Sequence, residues 1–163
     1  LGNLAQRFLS FIAKNLGGVL PHPGEFTRED DELLAAACAM LPAYRTALDR
    51  QAFHEAIETI WAVVRAANVY VDKQAPWTLR KTDPARMNTV LYFLAESVRH
   101  IAVLMQPFCP DATAKMLDQL GVPDGQRTFA HLHLTFSVKG GVALPAPSGV
   151  FPRYGDPKVG GKG

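Results

Sequence analysis

The sequence predicts an all-α fold, in which a bundle of amphipathic helices is followed by an extended C-terminal tail rich in proline and glycine. Four long segments carry apolar residues at spacings of three and four, the period of a helix with one buried face. Residue types that start or stop helices stand at the ends of these segments. Four such helices bury their apolar stripes best by packing against one another.

The first two helices are predicted from stripes in the first 50 residues. The first stripe comprises Leu4, Phe8, Phe11, Ile12 and Leu16. The second helix begins near Thr27, whose hydroxyl suits an N-cap and which precedes acidic residues. Its stripe comprises Leu34, Ala37, Leu41, Tyr44 and Leu48. Pro42 predicts a kink inside this helix, because proline cannot donate a backbone hydrogen bond.

The third and fourth helices have the strongest periodicity. The third spans about 51–74, with Phe53, Ile57, Ile60, Trp61, Val64 and Val71 on one face. The fourth starts at Asp83-Pro84, an N-cap followed by proline at the first helical position. Its stripe comprises Met87, Leu91, Leu94, Val98, Ile101 and Met105. Prolines end it, and a shorter fifth helix over 111–120 is closed by Gly121.

The pattern changes after the fifth helix. Residues 131–134 alternate His-Leu-His-Leu, which is typical of a short strand, but no pairing partner is evident nearby. Glycine and proline dominate from Gly140 onward. We therefore expect a helical bundle over 1–121, an irregular extension over 122–157 that packs back on it, and a disordered tail over 158–163.

Length and composition bound the class of protein. The 163 residues are 48% hydrophobic, which suits one folded domain, and the net charge of +2 permits a nucleic-acid partner without requiring one. No apolar run is as long as a membrane-spanning helix requires, and the N-terminus does not resemble a signal peptide. The sequence starts at Leu1, inside a predicted helix, which suggests a fragment. We expect a soluble cytoplasmic protein in which Cys38 and Cys109 are reduced, buried thiols.

Catalytic and metal-binding patterns are not found in the sequence. It contains none of the G-x-S-x-G, P-loop and H-E-x-x-H motifs. His131 and His133 would share one side of a strand, but a zinc site needs three or four protein ligands. We predict no catalytic residue, no metal site and no cofactor for this chain.

The polar face of the first helix is a candidate for recognition of a nucleic-acid base. Asn3, Arg7, Ser10 and Lys14 follow one another at i, i+4, i+7 and i+11. They form either an ordinary solvated face or a base-reading one. Asparagine offers a donor and an acceptor, and arginine offers a rigid fork of donors, so the pair can bind a base edge.

A second candidate is the junction between the third and fourth helices. Pro76 breaks the helix at Ala75 and places Trp77 outside the apolar stripes. Trp77 either caps the core or stacks on an unpaired base. Basic residues follow it and form a cluster that can meet phosphates, namely Arg80, Lys81 and Arg86. An aromatic platform beside basic residues is typical of proteins that bind single-stranded RNA loops.

Three segments resemble one known family. Residues 2–7 (GNLAQR) are similar to the start of the anticodon-binding helix bundle of bacterial methionyl-tRNA synthetases, a class I family, and residues 67–77 (ANVYVDKQAPW) to its second signature. The stretches 145–147 (PAP) and 150–153 (VFPR) resemble its closing Phe-Pro-Arg segment. The resemblance runs from about residue 1 to 154, with the motifs in the family's order and spacing.

The resemblance implies recognition of the CAU anticodon of methionine tRNA. By this resemblance the contacts fall on Asn3, Arg7, Pro76 and Trp77, and we add Arg80 as a phosphate contact. The residues Asn68, Asp72 and Gln74 also match the signature. We expect them to support the Pro76–Trp77 junction without contacting the RNA themselves.

The family's catalytic motifs are not found in this sequence, so the resemblance implies a part that recognises tRNA for a catalytic domain on the parent chain. The parent methionine–tRNA ligase uses ATP and Mg²⁺. Two alternatives stay open, namely the corresponding domain of a related class I synthetase and a helical protein-interaction module indifferent to RNA.

Overall fold

The computed structural model describes residues 1–151, and their secondary structure is helical. Six α-helices follow one another: α1 (Gly2–Asn15), α2 (Arg28–Asp49), α3 (Phe53–Gln74), α4 (Pro76–Thr82), α5 (Pro84–Met105) and α6 (Pro110–Gln119). Three 3₁₀ turns come after α6, at Asp124–Gln126, Phe129–His131 and Leu134–Phe136. The predicted all-α class is confirmed, and every predicted helix is present within a few residues of its expected ends.

The central element of the bundle is α5. Every residue from Phe93 to Met105 is buried, so this helix is enclosed on all sides. The helices α1, α2, α3, α4 and α6 all pack against it. Because this part of α5 has no solvated face, its charged residues Glu96 and Arg99 pair with protein groups rather than with water.

Local hydrogen bonds and backbone conformations mark the ends of the predicted helices. The amide of Thr27 donates to Asp30 Oδ2 at 2.8 Å, which satisfies a donor at the start of α2. Asp83 Oδ1 accepts from the Arg86 amide at 3.0 Å at the start of α5. Gly121, which follows the C-cap residue Leu120 of α6, has φ +68, a conformation that favours glycine at a helix end. Helix α2 continues through Pro42.

Two residues of the predicted α3 stripe are exposed, and Ile57 between them is half-buried. Phe53 is 56% exposed and Trp61 is 38% exposed. Residues four positions apart on a helix are rotated by about 40°, so a run spaced only by fours drifts off the buried face. The core face of α3 instead follows Ala56, Ile60, Val63, Val64, Ala67, Tyr70 and Val71.

One further prediction is wrong, and one strand-like pattern does not form a strand. Residues 131–134 lie where two 3₁₀ turns meet, and the His131 carbonyl accepts from Arg99 of α5 at 2.6 Å instead of from a neighbouring strand. Cys38 is exposed rather than buried, because it points away from the core face of α2, whereas Cys109 is half-buried. Both thiols are free.

The segment from 122 to 151 packs back along the helices. Leu132, Val138 and Val150 are buried against the core. The loop after α1 pairs with residues near 142: the Leu20 amide donates to the Val142 carbonyl at 2.9 Å. The predicted disordered tail at 158–163 and the closing residues 152–154 lie outside the described residues, and the domain boundaries stay predictions.

Candidate nucleic-acid interface

The side chain of Arg7 joins three helices at one point of the surface. Its Nη2 atom lies 3.2 Å from Asp72 Oδ1 on α3. Its guanidinium carbon lies 4.8 Å from the centroid of the Trp77 ring on α4. Arg7 and Asp72 keep 37% and 64% of their side chains exposed, and Trp77 is 39% exposed. The three side chains therefore form a site that a ligand can reach.

The position of Trp77 is set by an abrupt junction. Ala75 adopts the left-handed conformation, with φ 45 and ψ 63, and it both ends α3 and begins α4. The ring of Pro76 is buried at the first position of α4. The predicted break is present, but a new helix starts at once, which the sequence analysis did not anticipate. Because α4 leaves in a new direction, Trp77 faces α1 instead of continuing the α3 stripe.

Asn3 lies in the first turn of α1 and is exposed. It precedes Arg7 by four residues, so the two side chains stand on the same side of the helix, one turn apart. Asn3 therefore lies on the face of α1 that carries Arg7, one turn nearer the start of the helix.

The predicted phosphate contact Arg80 lies on the same border between α1 and α4. Its guanidinium hydrogen-bonds the side-chain oxygen of Asn15 at the end of α1. Together with the Arg7–Trp77 contact, this bond links α1 to α4 at two points. Lys14 and Lys81 are exposed next to it. The border is therefore rich in positive charge.

Arg86 does not belong to this basic border, contrary to the sequence analysis. Its guanidinium turns inward and forms a bidentate pair with Asp30, with nitrogen–oxygen distances of 2.5 and 2.7 Å. Only 15% of the Arg86 side chain is exposed. Because the guanidinium is engaged by Asp30 and largely buried, Arg86 is unavailable to phosphates.

The three residues predicted to support the junction are placed differently from one another. Asp72 binds Arg7. Gln74 accepts from Arg86 at 2.9 Å and donates to Glu29 Oε2 at 2.6 Å. The amide of Asn68 donates to the Val64 carbonyl one turn earlier in α3 at 2.8 Å, a contact that does not reach the junction.

Sequence reasoning missed the buried carboxylate beneath the junction. Asp30 is fully buried and, besides Arg86 and the Thr27 amide, accepts the Tyr70 hydroxyl at 2.5 Å. Burial opposes ionisation of Asp30, but hydrogen bonds from Arg86, Thr27 and Tyr70 outweigh it and lower its pKa. Burial, and then the bond to Asp30, raise the pKa of Tyr70. No short motif signals this group, since its members are far apart in sequence.

The histidine and acidic side chains of the described chain do not form a metal site. Within residues 1–151, no group of three or more His, Cys, Asp or Glu side chains could hold a metal ion. His131 and His133 each bond a neighbouring threonine hydroxyl at 2.8 Å, Thr128 and Thr135 respectively. No helix of this part is long and apolar enough to cross a membrane.

Comparison with known proteins shows close relatives of one kind. Residues 20–160 match the model of the family described as the anticodon binding domain of methionyl tRNA ligase. The chain is 54% identical over 154 residues to a methionine–tRNA ligase of Mesorhizobium japonicum and 53% identical over 154 residues to that of Brucella suis. In both cases the match covers 94% of this chain and 30% of the relative.

A solved structure shows the same fold. The apo form of Mycobacterium tuberculosis methionyl-tRNA synthetase matches 96% of this chain and 32% of its own, with a TM-score of 0.92 and 48% identity. The chain thus spans about 30% of the length of the relatives it matches. The family model and the relatives name the methionine enzyme rather than another class I synthetase, and the chain belongs to the family of anticodon-binding domains of methionyl tRNA ligases.

Proposed function

We propose that this chain binds the anticodon loop of methionine tRNA and distinguishes CAU from other anticodons through Asn3, Arg7, Pro76 and Trp77. The observation that carries the proposal is the placement of Arg7, whose guanidinium lies between the carboxylate of Asp72 and the exposed ring of Trp77. A directed fork of donors beside an aromatic platform suits a splayed base, which offers both an edge and a face.

Discrimination between cytosine and uracil follows from the donors that Arg7 presents. Cytosine carries acceptors at N3 and O2, and these pair with guanidinium N–H groups. Uracil carries a donor at N3, which would face another donor and leave polar groups unsatisfied. Asp72 holds the guanidinium from one side and so restricts its direction. Trp77 adds stacking energy for any base and contributes no choice between the two.

The basic border between α1 and α4 supports a backbone contact next to this site. Arg80 is exposed and tied to Asn15, so its charge is presented within a few ångströms of α1. Contacts of this kind bind every sequence alike and weaken as salt rises.

The remaining partners follow from the relatives. A solved Mycobacterium tuberculosis synthetase is described as bound by methionyl-adenylate. We infer that this chain serves a methionine–tRNA ligase that uses ATP with Mg²⁺, and that a catalytic domain of the parent chain is its second partner. The proposed role of the present residues is recognition, with binding energy remote from the chemistry helping to orient the acceptor end.

Binding of the chain at low salt to two labelled stem-loops, one carrying CAU and one carrying UAU, tests the proposal. We expect tighter binding to CAU, and a smaller preference in Arg7→Gln. Equal binding of both loops would contradict anticodon reading and leave a nonspecific RNA-binding bundle. Absence of binding to either loop, with the fold intact, would overturn the proposal in favour of a protein-interaction module.

A further inference from the structure

We propose that Asp30 and Arg86 are positioning residues for the anticodon site, acting through Gln74 on the junction that carries Trp77. The proposal rests on the proposed function, because it concerns how that site is held in shape. Neither residue lies at the candidate interface, and the contacts beneath the junction carry the argument.

The first step is the burial of Asp30. Its side chain is fully buried at the start of α2, yet it accepts hydrogen bonds from three elements: the Thr27 amide, the Tyr70 hydroxyl on α3 and the guanidinium of Arg86 on α5. A buried carboxylate needs such partners to remain charged. Asp30 therefore defines where α2, α3 and α5 meet.

The second step is the fork of Arg86. Its Nη1 and Nη2 atoms bond Asp30, while Nε and Nη2 also bond Gln74 Oε1 at 3.2 and 2.9 Å. A planar guanidinium that binds two acceptors at once restricts the positions of both. The location of the Gln74 side chain is thus determined by a carboxylate on another helix.

The third step is the place of Gln74 in the chain. It is the last residue of α3, directly before Ala75 and Pro76. A left-handed alanine is unfavourable by about 1–2 kcal/mol, so this backbone persists only where its surroundings hold it. The nitrogen of the same Gln74 amide donates to Glu29 Oε2 at 2.6 Å, so both polar atoms of this group are engaged. A terminal amide held by both its oxygen and its nitrogen fixes the side chain of the last α3 residue, and through it the direction in which α4 departs and the position of Trp77 opposite Arg7.

The experiment uses two conservative variants and one matched control. Arg86→Lys keeps a positive charge beside Asp30 but cannot fork onto Gln74, and Gln74→Met keeps the volume but removes the hydrogen bonds. The control, Tyr70→Phe, removes a hydrogen bond to the same carboxylate without touching Gln74. Each variant is made with and without Trp61→Phe, so that Trp77 fluorescence can be measured alone, and urea unfolding records the stability of each.

We expect Arg86→Lys and Gln74→Met each to lower the preference for the CAU stem-loop over UAU by roughly fivefold, the size expected for one hydrogen bond. The double variant should lose little more than either single one, because the two residues act in one chain of contacts. Both should change acrylamide quenching of Trp77, whereas Tyr70→Phe should leave quenching and preference near wild type even where it lowers stability.

Three results would overturn the proposal: unchanged Trp77 quenching in both variants, additive effects in the double variant, or an equal loss of preference in Tyr70→Phe. If Arg86→Lys does not fold, the Trp77 quenching and the CAU preference of Gln74→Met, each compared with Tyr70→Phe, decide the question. The quenching measurement needs no RNA. A wild-type chain without CAU preference would therefore refute the proposed function while the positioning role is still tested by fluorescence.

Discussion

The guanidinium of Arg7 lies over the ring of Trp77, 4.8 Å from its centroid, although the two residues are separated by most of α1, α2 and α3. A cation and an aromatic face attract one another at this distance. Asp72 holds the same guanidinium from α3. The two signature segments of the sequence are therefore parts of one site, and the following variants test what each part contributes.

The two tryptophans provide a matched comparison, because Trp77 and Trp61 are 39% and 38% exposed. Trp77→Ala should weaken binding of the CAU stem-loop by about 1–3 kcal/mol, the energy of stacking one base, and leave helical content intact. Trp61→Ala should leave the affinity near wild type. Titration with a labelled stem-loop and far-UV circular dichroism measure the two effects. Loss of helicity in Trp77→Ala would instead show that the ring caps the core.

Arg80 should contribute affinity without sequence preference. If it meets a phosphate, Arg80→Ala weakens CAU and UAU loops alike and reduces the slope of log Kd against log salt by about one. The control is Arg50, an exposed arginine that follows the last residue of α2. Arg50→Ala should change neither the affinity for the two loops nor the salt dependence. A loss confined to the CAU loop would mean that Arg80 contacts a base.

The left-handed backbone at Ala75 predicts opposite effects of glycine at two alanines. Ala75→Gly should raise the free energy of unfolding by up to about 1 kcal/mol, because glycine adopts positive φ without steric cost. Ala66→Gly, at an exposed position inside α3, should lower it by about 1 kcal/mol. Urea unfolding at neutral pH measures both. An equal loss of stability in both variants would contradict a left-handed Ala75 in solution.

Glu96 should make stability depend on pH in the acid range. Its burial opposes ionisation, but hydrogen bonds from His100 and Arg99 outweigh it and lower its pKa to about 2. The unfolded value is about 4.3, so the carboxylate stabilises the fold fully above that pH and loses this contribution as pH falls towards 2. Asp30, whose pKa is also lowered, adds to the same slope.

The free energy of unfolding from urea titrations between pH 6 and pH 2 checks this dependence. We expect Glu96→Gln to be less stable at pH 6 and to show a shallower slope through the acid range. The control is Glu58→Gln, since Glu58 forms an exposed ion pair with Arg65 that contributes little. A wild-type slope in Glu96→Gln would remove Glu96 from this role.

The helices, and the residues that start and end them, were predictable from the sequence. Apolar periodicity, an acidic N-cap before proline, and glycine after the last turn all act within a few neighbouring residues. Neighbouring residues also predicted the helix break at Ala75, which precedes Pro76. The spacing of four residues predicted that Asn3 and Arg7 lie one helical turn apart. The family resemblance, confirmed by relatives about half identical, named the candidate residues on those elements.

Only the tertiary structure decided which of these residues meet. Arg86 looked like a phosphate contact beside Arg80, yet its partner Asp30 lies 56 residues away and draws it into the interior. Phe53 and Trp61 fitted a helical stripe, but the packing of α3 left them exposed. Sequence patterns record the preferences of neighbours along the chain, whereas the partner of a charge and the orientation of a ring depend on packing between distant helices. For that reason the sequence by itself determined the elements and the candidate residues, and the packing decided that Arg7, Asp72 and Trp77 form one site.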